Sequence, residues 1–233
     1  GGYDGKGQAL VEHPDDAAEA WASLGHRPSV LESRIAFTRE CSVIIVRAAD
    51  GEIRSYPLVE NEHRRGILRT SVAPAASTEP RRAEAVRWAS RTAESLGHVG
   101  VFTLELFETP DGLLANEFAP RVHNSGHWTI EACDTSQFEN HVRAVMGLPL
   151  GSTTARASAV MLNLVGHVPE RAEVLNVPRS HLHLYGKSAK PGRKLGHITC
   201  LGADPAGARA TADRVQPLVQ GVPGGSVSTQ ECG

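Results

Sequence analysis

The sequence predicts an α+β protein in which most strands pair as antiparallel hairpins. Apolar runs rich in β-branched residues are separated by short glycine-containing turns, as in residues 42–59 and 99–119, which is typical of hairpins. Segments with apolar residues at helical spacing lie between these runs, as in residues 78–96. At 233 residues the chain is long enough to bury a substantial core, in one large domain or two small ones.

Composition limits the class of function. The hydrophobic content of 40% and the charged content of 21% are ordinary for a soluble globular protein. A net charge of −2 gives no reason to expect nucleic-acid or membrane partners, and no apolar run has the length of a transmembrane helix or resembles a signal peptide. Cys41, Cys133, Cys200 and Cys232 lack metal-binding spacing and are interpreted as reduced thiols of a cytoplasmic protein.

The first third of the chain predicts a helix, a hinge and a hairpin. Residues 15–24 begin with two aspartates that can cap a helix, and Gly25 can end it. Residues 29–35 are interpreted as a strand or a hinge. Residues 42–48 and 52–59 are expected to form a hairpin about a glycine-containing turn.

Two further helices and several strands follow. Residues 78–96 begin with a Thr-Glu-Pro helix start, and Gly97 ends the helix. Ser136 and Glu139 have the spacing of a capping box. Strands are expected near residues 159–166 and 181–186, and a final helix is expected to open at Asp204-Pro205 and to be interrupted by Pro217.

The hairpin predicted for residues 99–119 brings two glutamates together. A three-residue turn centred on Asp111 places Glu105 directly opposite Glu117, with Cβ atoms about 5 Å apart. Two carboxylates at that distance repel each other unless a cation lies between them, and hard oxygen ligands that leave room for phosphates suit Mg²⁺. The alternative is a pair of solvent-facing glutamates in a slipped register, which the apolar neighbours of Glu105 argue against.

The return strand leads into a segment dense in polar chemistry, LANEFAPRVHNSGHWTI at residues 114–130. Its functional side chains are Glu117, Arg121, His123, Asn124 and His127. Pro120 and Gly126 indicate an extended loop and not a helix. Such a loop suits a site that binds oxyanions and a metal, with Asn124 as a further oxygen ligand or as a donor to phosphate. A solvated polar loop is the alternative.

Two more segments are candidates for ligand contacts. The first eight residues, GGYDGKGQ, form a flexible glycine-rich loop with one lysine, without P-loop or dinucleotide spacing. Residues 181–198, HLHLYGKSAKPGRKLGHI, hold a basic turn that could bind an anion or lie on the solvated surface.

These segments together resemble the N5-carboxyaminoimidazole ribonucleotide synthase family of ATP-grasp enzymes. The resemblance rests on GGYDGKGQ, on NEFAPRVHNSGHWTIEACDTSQFENHVRAVMGLPLG and on HLYGK with KPGRKLGHI, and it covers the chain nearly end to end. It implies an ATP-grasp fold with part of a lid, a central antiparallel sheet and a small β-rich C-terminal domain. It also implies ATP-dependent carboxylation of aminoimidazole ribonucleotide with bicarbonate through carboxyphosphate, in purine biosynthesis.

The resemblance also implies a set of site residues. Tyr3 and Lys6 match lid residues that close over carboxyphosphate, with Gly5 and Gly7 in the same nucleotide-binding loop. The other implied residues are Arg121, His123 and Lys194 for catalysis, Glu32, Glu40 and Asn124 for the nucleotide, Lys187 and Arg193 for the substrate 5′-phosphate, and Glu105 and Glu117 for the metal. ATP and Mg²⁺, or Mn²⁺ in its place, are the expected ligands, without biotin, and the full-length enzyme is expected to be a homodimer.

The resemblance divides the chain at residue 150. Residues 1–150 are expected to be the ATP-grasp domain, with a lid remnant at 1–31 and the hinge and central domain at 32–150. Residues 151–158 are expected to be a linker, and 159–233 a C-terminal domain. The resemblance implies that an α/β domain precedes the lid in relatives, and residues 1–233, taken without it, are expected to be inactive.

The sequence departs from the family pattern at the hinge, and two alternatives stay open. Relatives usually have an aromatic residue near position 34, where this chain has Ser33-Arg34, which changes the expected adenine pocket. One alternative is another ATP-grasp ligase, such as a formate-dependent glycinamide ribonucleotide transformylase or a biotin carboxylase. The other is a non-catalytic nucleotide-binding module.

Overall fold

The computed structural model describes residues 7–77 and 79–220, and its centre is one antiparallel sheet with helices on both faces. The strands are β1 Arg39–Arg47, β2 Ile53–Ser55, β3 Val59–Arg64, β4 Ile67–Ala73, β5 Gly100–Thr109, β6 Gly112–Ala119, β7 Ser158–Val165, β8 Ser180–Leu184 and β9 Lys194–Gly202. The helices are α1 Ala17–Ser23, α2 Glu79–Ser95, α3 Thr129–Ala132, α4 Gln137–Val145, α5 Arg171–Leu175 and α6 Pro205–Gln220. No helix within these ranges is long and apolar enough to cross a membrane.

The strand order joins the two expected domains in one sheet. The order is β6-β5-β1-β3-β4-β7-β9-β8, with β2 paired to β1, and every pairing is antiparallel. The ladder between β4 and β7 connects the part before residue 150 with the part after it. Residues 151–157 lie between α4 and β7 and form no strand, although Ala155 makes an isolated bridge to Cys133. The division at residue 150 stays a prediction.

The two faces of the sheet are covered differently. On one face, α2 packs Ala85, Ala89 and Ala93 against apolar residues of β1, β5 and β6. On that same face α6 covers β7 and β9. The opposite face is covered by α3, α4 and the segment that follows β6, with the buried Trp128 at its centre. This second face holds the polar residues described below.

Most predicted elements are present. The helix over residues 15–24 appears as α1 with a short 3₁₀ turn before it, but none of its side chains is buried. Residues 29–35 form neither helix nor strand. The expected interruption by Pro217 is wrong, since Pro217 lies within α6 and the partly buried Leu218 beyond it still packs against the core.

Candidate functional site

The hairpin of β5 and β6 has a tighter turn than expected. Thr109 pairs with Gly112, so only Pro110 and Asp111 form the turn. The three-residue turn centred on Asp111 is therefore wrong. Gly112 has a φ of 153°, a conformation that favours glycine, and it joins β6 directly.

A bulge restores the alignment of the two glutamates. Thr103 pairs with Ala119, and the register shifts by one residue beside Glu105. Because side chains alternate along a strand, Glu105 and Glu117, each two residues from this pair, point to the same face. Glu105 is 8% exposed, whereas Glu117 is exposed, so the carboxylates line the sheet interior and its edge respectively.

The buried carboxylate of Glu105 binds the imidazole of His123. The Oε1 atom of Glu105 lies 2.9 Å from Nε2 of His123. Burial alone would raise the pKa of Glu105, but the hydrogen bond from His123 and the charges of His123, His63 and Lys194 outweigh burial and lower the pKa below its ordinary value. Glu105 is therefore held as an anion within a positively charged environment.

The side chain of Gln137, the first residue of α4, fixes the backbone of His123. Its Oε1 accepts a hydrogen bond from His123 N–H at 2.9 Å, and its Nε2 donates to His123 C=O at 2.7 Å. Nδ1 of His123 lies 2.8 Å from Ser125 Oγ. A Cβ at Gly126 would lie 2.7 Å from the Gln137 carboxamide, so glycine is needed for this close approach. The segment is a rigid loop with a 3₁₀ turn at Asn124–Gly126.

Asn124, the next residue, is held by a partner on another strand. Its Nδ2 donates to Asn163 Oδ1 at 3.0 Å, and its Oδ1 accepts from Asn163 Nδ2. Asn163 lies on β7, is 1% exposed, and also donates from Nδ2 to the carbonyl oxygen of Leu68 at 3.1 Å. Asn124 itself is only partly buried.

Two further groups complete the charge balance around Glu105. Lys194, at the start of β9, is half-buried, and its charge lowers the pKa of both Glu105 and His127. His63 pairs with Glu40. Burial would lower the pKa of His63, but the hydrogen bond and charge of Glu40, with the charge of Glu105, raise it.

A group of stacked histidines borders this region. The rings of His183 and His197 stack with centroids 4.5 Å apart, and His127 lies 4.9 Å from His197. Burial, together with neighbouring positive charge, lowers the pKa of His127 to about 4 and that of His197 to about 2. Tyr185 holds His197 through a 2.8 Å contact to Nδ1. The rings of His127 and His197 are therefore neutral at pH 7, whereas the hydrogen bond to Glu131 raises the pKa of His183.

Comparison with known proteins identifies the fold. A sequence profile of the ATP-grasp domain matches residues 1–138, more than half of the chain. The chain belongs to the ATP-grasp family. A second profile, described as the phosphoribosylaminoimidazole carboxylase C-terminal domain, matches residues 159–211. The predicted ATP-grasp fold with an added C-terminal domain is thereby confirmed.

Individual relatives of this ATP-grasp chain share one description. The N5-carboxyaminoimidazole ribonucleotide synthase of Pseudomonas aeruginosa is 52% identical over 219 residues, which are 94% of this chain and 60% of that protein. The crystal structure of the Thermus thermophilus N5-carboxyaminoimidazole ribonucleotide synthetase matches with a TM-score of 0.88 and 50% identity over 93% of this chain and 61% of that one. The Aspergillus clavatus enzyme, in complex with ADP and 5-aminoimidazole ribonucleotide, matches with a TM-score of 0.82 and 36% identity, over 91% and 58%.

The chain spans about 60% of the length of these relatives. The resemblance to the N5-carboxyaminoimidazole ribonucleotide synthase family, seen in the sequence motifs, is confirmed by the names of the relatives. Activity, substrates and partners belong to whole proteins, and for this chain they are proposals.

The structure brings together some of the predicted ATP-grasp site residues and leaves others apart. Glu105, Glu117, His123, Asn124 and Lys194 belong to the polar face or its edge. Arg121, Lys187, Arg193 and Glu32 are exposed. Tyr3, Gly5 and Lys6 lie outside the described residues, and Gly7 is exposed with a φ of 72°.

The exposed basic residues make only local contacts. Arg121 donates from Nη1 to the carbonyl oxygen of Val122 at 3.0 Å. Arg193 donates to Ser188 Oγ at 3.0 Å, and Nζ of Lys187 lies 5.4 Å from the Tyr185 ring centroid. Their side chains remain accessible to an anionic ligand, and their assigned roles stay predictions.

Three residues of the polar face were not predicted as site residues. Gln137 was interpreted only as part of a helix start, and Asn163 as part of a strand. His63 lies in β3 opposite the acidic end of β1. An isolated polar residue inside an apolar strand, as in MLNLV, is the one signal that could have indicated Asn163.

The carboxylates of the polar face fit a magnesium ion whose other ligands are phosphate and water oxygens. Glu105 and Glu117 supply carboxylate oxygens on one face, and Mg²⁺ prefers one or two such groups plus phosphate and water oxygens. Within residues 7–77 and 79–220 no group of three or more His, Cys, Asp and Glu side chains could hold a metal alone. The remaining ligands would therefore have to come from the nucleotide and from water.

Proposed function

We propose that the protein containing this chain carboxylates 5-aminoimidazole ribonucleotide with bicarbonate, at the expense of ATP, to give N5-carboxyaminoimidazole ribonucleotide, ADP and phosphate. The observation that carries the proposal is the buried Glu105–His123 pair beside Lys194, on the face where Glu117 and Asn124 also lie. This arrangement combines two carboxylates for a metal with cationic and amide donors for oxyanions. The names of the relatives, and the bound ADP and ribonucleotide of one of them, support the same substrates.

The proposed reaction has two steps. An oxygen of bicarbonate attacks the γ-phosphorus of ATP, the bond to the β-phosphate oxygen breaks, and ADP leaves. The exocyclic amine of the ribonucleotide then attacks the carbon of carboxyphosphate, the carbon–oxygen bond to phosphate breaks, and the amine loses a proton. Phosphoryl transfer of this kind depends mainly on positioning and on neutralising charge.

The chain's residues supply that positioning. His123 is held on three sides, by Gln137 through its backbone and by Glu105 and Ser125 through its ring. Lys194 provides a half-buried positive charge for the phosphoryl or bicarbonate oxygens, and Arg121, on the exposed side of the same loop, provides a planar guanidinium that suits a bidentate grip. When bound, Mg²⁺ held by Glu105 and Glu117 would offset the charge of the phosphates.

The remaining proposed contacts concern the substrates. Lys187 and Arg193 bind the 5′-phosphate of the ribonucleotide, and their exposure leaves them available for it. Glu40 binds the ribose hydroxyls of ATP; its pairing with His63 fixes the carboxylate and leaves oxygen lone pairs for hydroxyl donors. Glu32 and Gly7 belong to the adenine and phosphate contacts. The homodimeric assembly of the full-length enzyme is proposed on the same grounds of family likeness.

The test is ADP release by the full-length protein. ADP should form only when ATP, bicarbonate and aminoimidazole ribonucleotide are all present, and [¹⁴C]bicarbonate should enter the ribonucleotide. Formate with glycinamide ribonucleotide is the control that represents the alternative ATP-grasp ligase, and it should give no ADP. ADP release with the formate pair and none with bicarbonate would overturn the proposal.

A further inference from the structure

Asn163 has an orientation that the fold determines without ambiguity. The carbonyl oxygen of Leu68 can only accept a hydrogen bond, so the atom of the Asn163 carboxamide that lies 3.1 Å from it must be the nitrogen. Leu68 belongs to β4 and Asn163 to β7, and these neighbouring strands are paired beside them at Thr70–Leu162. The side chain is 1% exposed and cannot turn toward solvent.

This orientation dictates the orientation of Asn124. The second hydrogen of Asn163 Nδ2 is directed at Asn124, which must therefore present its oxygen there, and Asn163 Oδ1 must receive a hydrogen from Asn124 Nδ2. If the Asn124 amide were reversed, its oxygen would face the oxygen of Asn163 and its nitrogen would face the nitrogen of Asn163. One Nδ2–H of Asn124 is then left, and it points away from Asn163.

We infer that Asn163 is a positioning residue that makes Asn124 an N–H donor to an oxyanion, a phosphoryl or bicarbonate oxygen. The inference rests on the proposed function for the identity of that oxyanion, and it assigns Asn124 the donor role that the sequence leaves open. The carbonyl oxygen of Leu68 on β4 thus sets the orientation of the Asn163 amide. That amide in turn sets which group Asn124 presents to the ligand.

The position of the pair on the polar face supports this role. Asn124 directly follows His123, whose imidazole binds Glu105, and Lys194 opens the strand that pairs with β7. An N–H donor there adds to the positive charge that an oxyanion requires, whereas a reversed carboxamide would present a carbonyl oxygen to it. Asn124 is partly exposed and Asn163 is buried, as expected of a contacting residue and its support.

The test is a double-mutant cycle in the full-length protein with kcat as the readout. Asn163→Leu, a change to an apolar side chain of similar size, should lower kcat about 10- to 100-fold, because a misplaced donor weakens transition-state contacts. Asn124→Ala should lower kcat to a similar extent. If Asn163 acts through Asn124, the double variant should be no slower than Asn124→Ala alone. Losses that multiply would overturn the inference, as would an unchanged kcat in Asn163→Leu.

Controls separate this role from stability. Asn140→Leu removes another fully buried amide, which binds Tyr56 and Gly151 and none of the proposed site residues, and should lower the melting temperature without lowering kcat of the folded enzyme. If Asn163→Leu does not fold, Asn163→Ser serves in its place, since the shorter polar side chain leaves room for water. A loss of kcat in Asn140→Leu as large as that in Asn163→Leu would overturn the positioning role.

A second readout does not depend on turnover. In the wild-type protein, the two side-chain amide protons of Asn124 should exchange with solvent at different rates, because one is bonded to Asn163 and the other is free to meet a ligand. In Asn163→Leu the two rates should converge. Equal rates in the wild type would overturn the inference even if the carboxylase activity is established. If the wild-type protein does not release ADP, the proposed function is refuted. The exchange rates then still test whether Asn163 orients the Asn124 amide.

Discussion

Glu105 shows at the scale of one residue how the fold keeps a buried carboxylate charged. It is buried, yet the hydrogen bond and charge of His123, with His63 and Lys194 nearby, hold its pKa below the ordinary value of a glutamate. A carboxylate whose pKa is lowered in this way is ionised at neutral pH and can accept a cation.

The first prediction concerns this charge. Glu105→Gln keeps the shape and removes the charge, so kcat should fall by about 10²-fold or more and the Mg²⁺ concentration for half-maximal activity should rise. Steady-state assays across a magnesium titration measure both. Glu108→Gln is the matched control, because Glu108 lies on the same strand but its Oε2 binds Arg39 Nε at 2.8 Å. Equal effects of the two changes would contradict the role of Glu105.

The second prediction concerns His127 and acid stability. Burial and neighbouring positive charge lower its pKa from the ordinary 6.5 to about 4, so the unfolded chain binds more protons than the folded one between these values. The free energy of unfolding should therefore fall as the pH is lowered from about 6.5 to about 4, by on the order of 2 kcal/mol from this residue. Denaturant titrations at several pH values measure the slope.

A matched pair of variants identifies the source of that slope. His127→Gln removes the titrating group and should make the free energy of unfolding less dependent on pH in this window. His181→Gln, at an exposed histidine of β8, should leave the slope of the wild type unchanged. An identical slope in His127→Gln and the wild type would show that His127 does not carry this effect.

The third prediction concerns the proposed ribonucleotide contact. Arg193 is exposed and is oriented by Ser188, so Arg193→Ala should raise the KM for the ribonucleotide while kcat changes little, as expected for loss of uniform binding. Arg209→Ala, at an exposed arginine of α6, should leave the KM unchanged. An unchanged KM in a folded Arg193→Ala enzyme would count against the assignment.

At the scale of elements, α4 links a local sequence signal to the site. Ser136 Oγ accepts a hydrogen bond from Glu139 N–H at 3.1 Å, which confirms one half of the predicted capping box. The other half is not formed, because Glu139 binds Arg143 one turn later. The cap matters for function since Gln137, which holds His123, is the first residue of this helix.

The fourth prediction follows from that cap. Ser136→Ala should lower the free energy of unfolding by about 1 kcal/mol, since a helix N–H loses its acceptor. Glu139→Ala should cost less, about 0.5 kcal/mol or below, because it removes only an exposed i,i+4 pair. Chemical denaturation of both variants measures the difference. A cost for Glu139→Ala that equals or exceeds that of Ser136→Ala would contradict the assignment of the cap.

Local signals predicted the elements better than they predicted the contacts between them. The hairpin around Asp111 and the helix that Gly97 ends were visible because each depends on neighbouring residues. The loop predicted for residues 114–130 is wrong at both ends, since β6 extends to Ala119 and α3 begins at Thr129. The turn length was missed because Gly112 can serve either as a turn residue or as the first residue of a strand. The roles of Gln137 and Asn163 were missed because they bind residues 14 and 39 positions away, which only the tertiary fold brings close.

At the scale of the whole molecule, one continuous sheet assembles the site. Glu105 comes from β5, Glu40 from β1, His63 from β3, Asn163 from β7 and Lys194 from β9. The hydrogen-bond ladder between β4 and β7 joins two parts of the chain. One matches the ATP-grasp profile and carries Glu105, and the other matches the C-terminal profile and carries Lys194. The two regions therefore contribute side chains to one polar face, which is the face that the proposed function uses.

The central claim is that this face transfers the γ-phosphoryl group of ATP to bicarbonate. The most direct measurement is mass spectrometry of the inorganic phosphate that the full-length protein forms from ¹⁸O-labelled bicarbonate, ATP and aminoimidazole ribonucleotide in unlabelled water. Because the attacking bicarbonate oxygen stays on phosphorus when the carboxyl group is transferred, each phosphate should carry a single ¹⁸O atom. Unlabelled phosphate formed alongside carboxylated product would show that water attacks the phosphorus and would contradict the account.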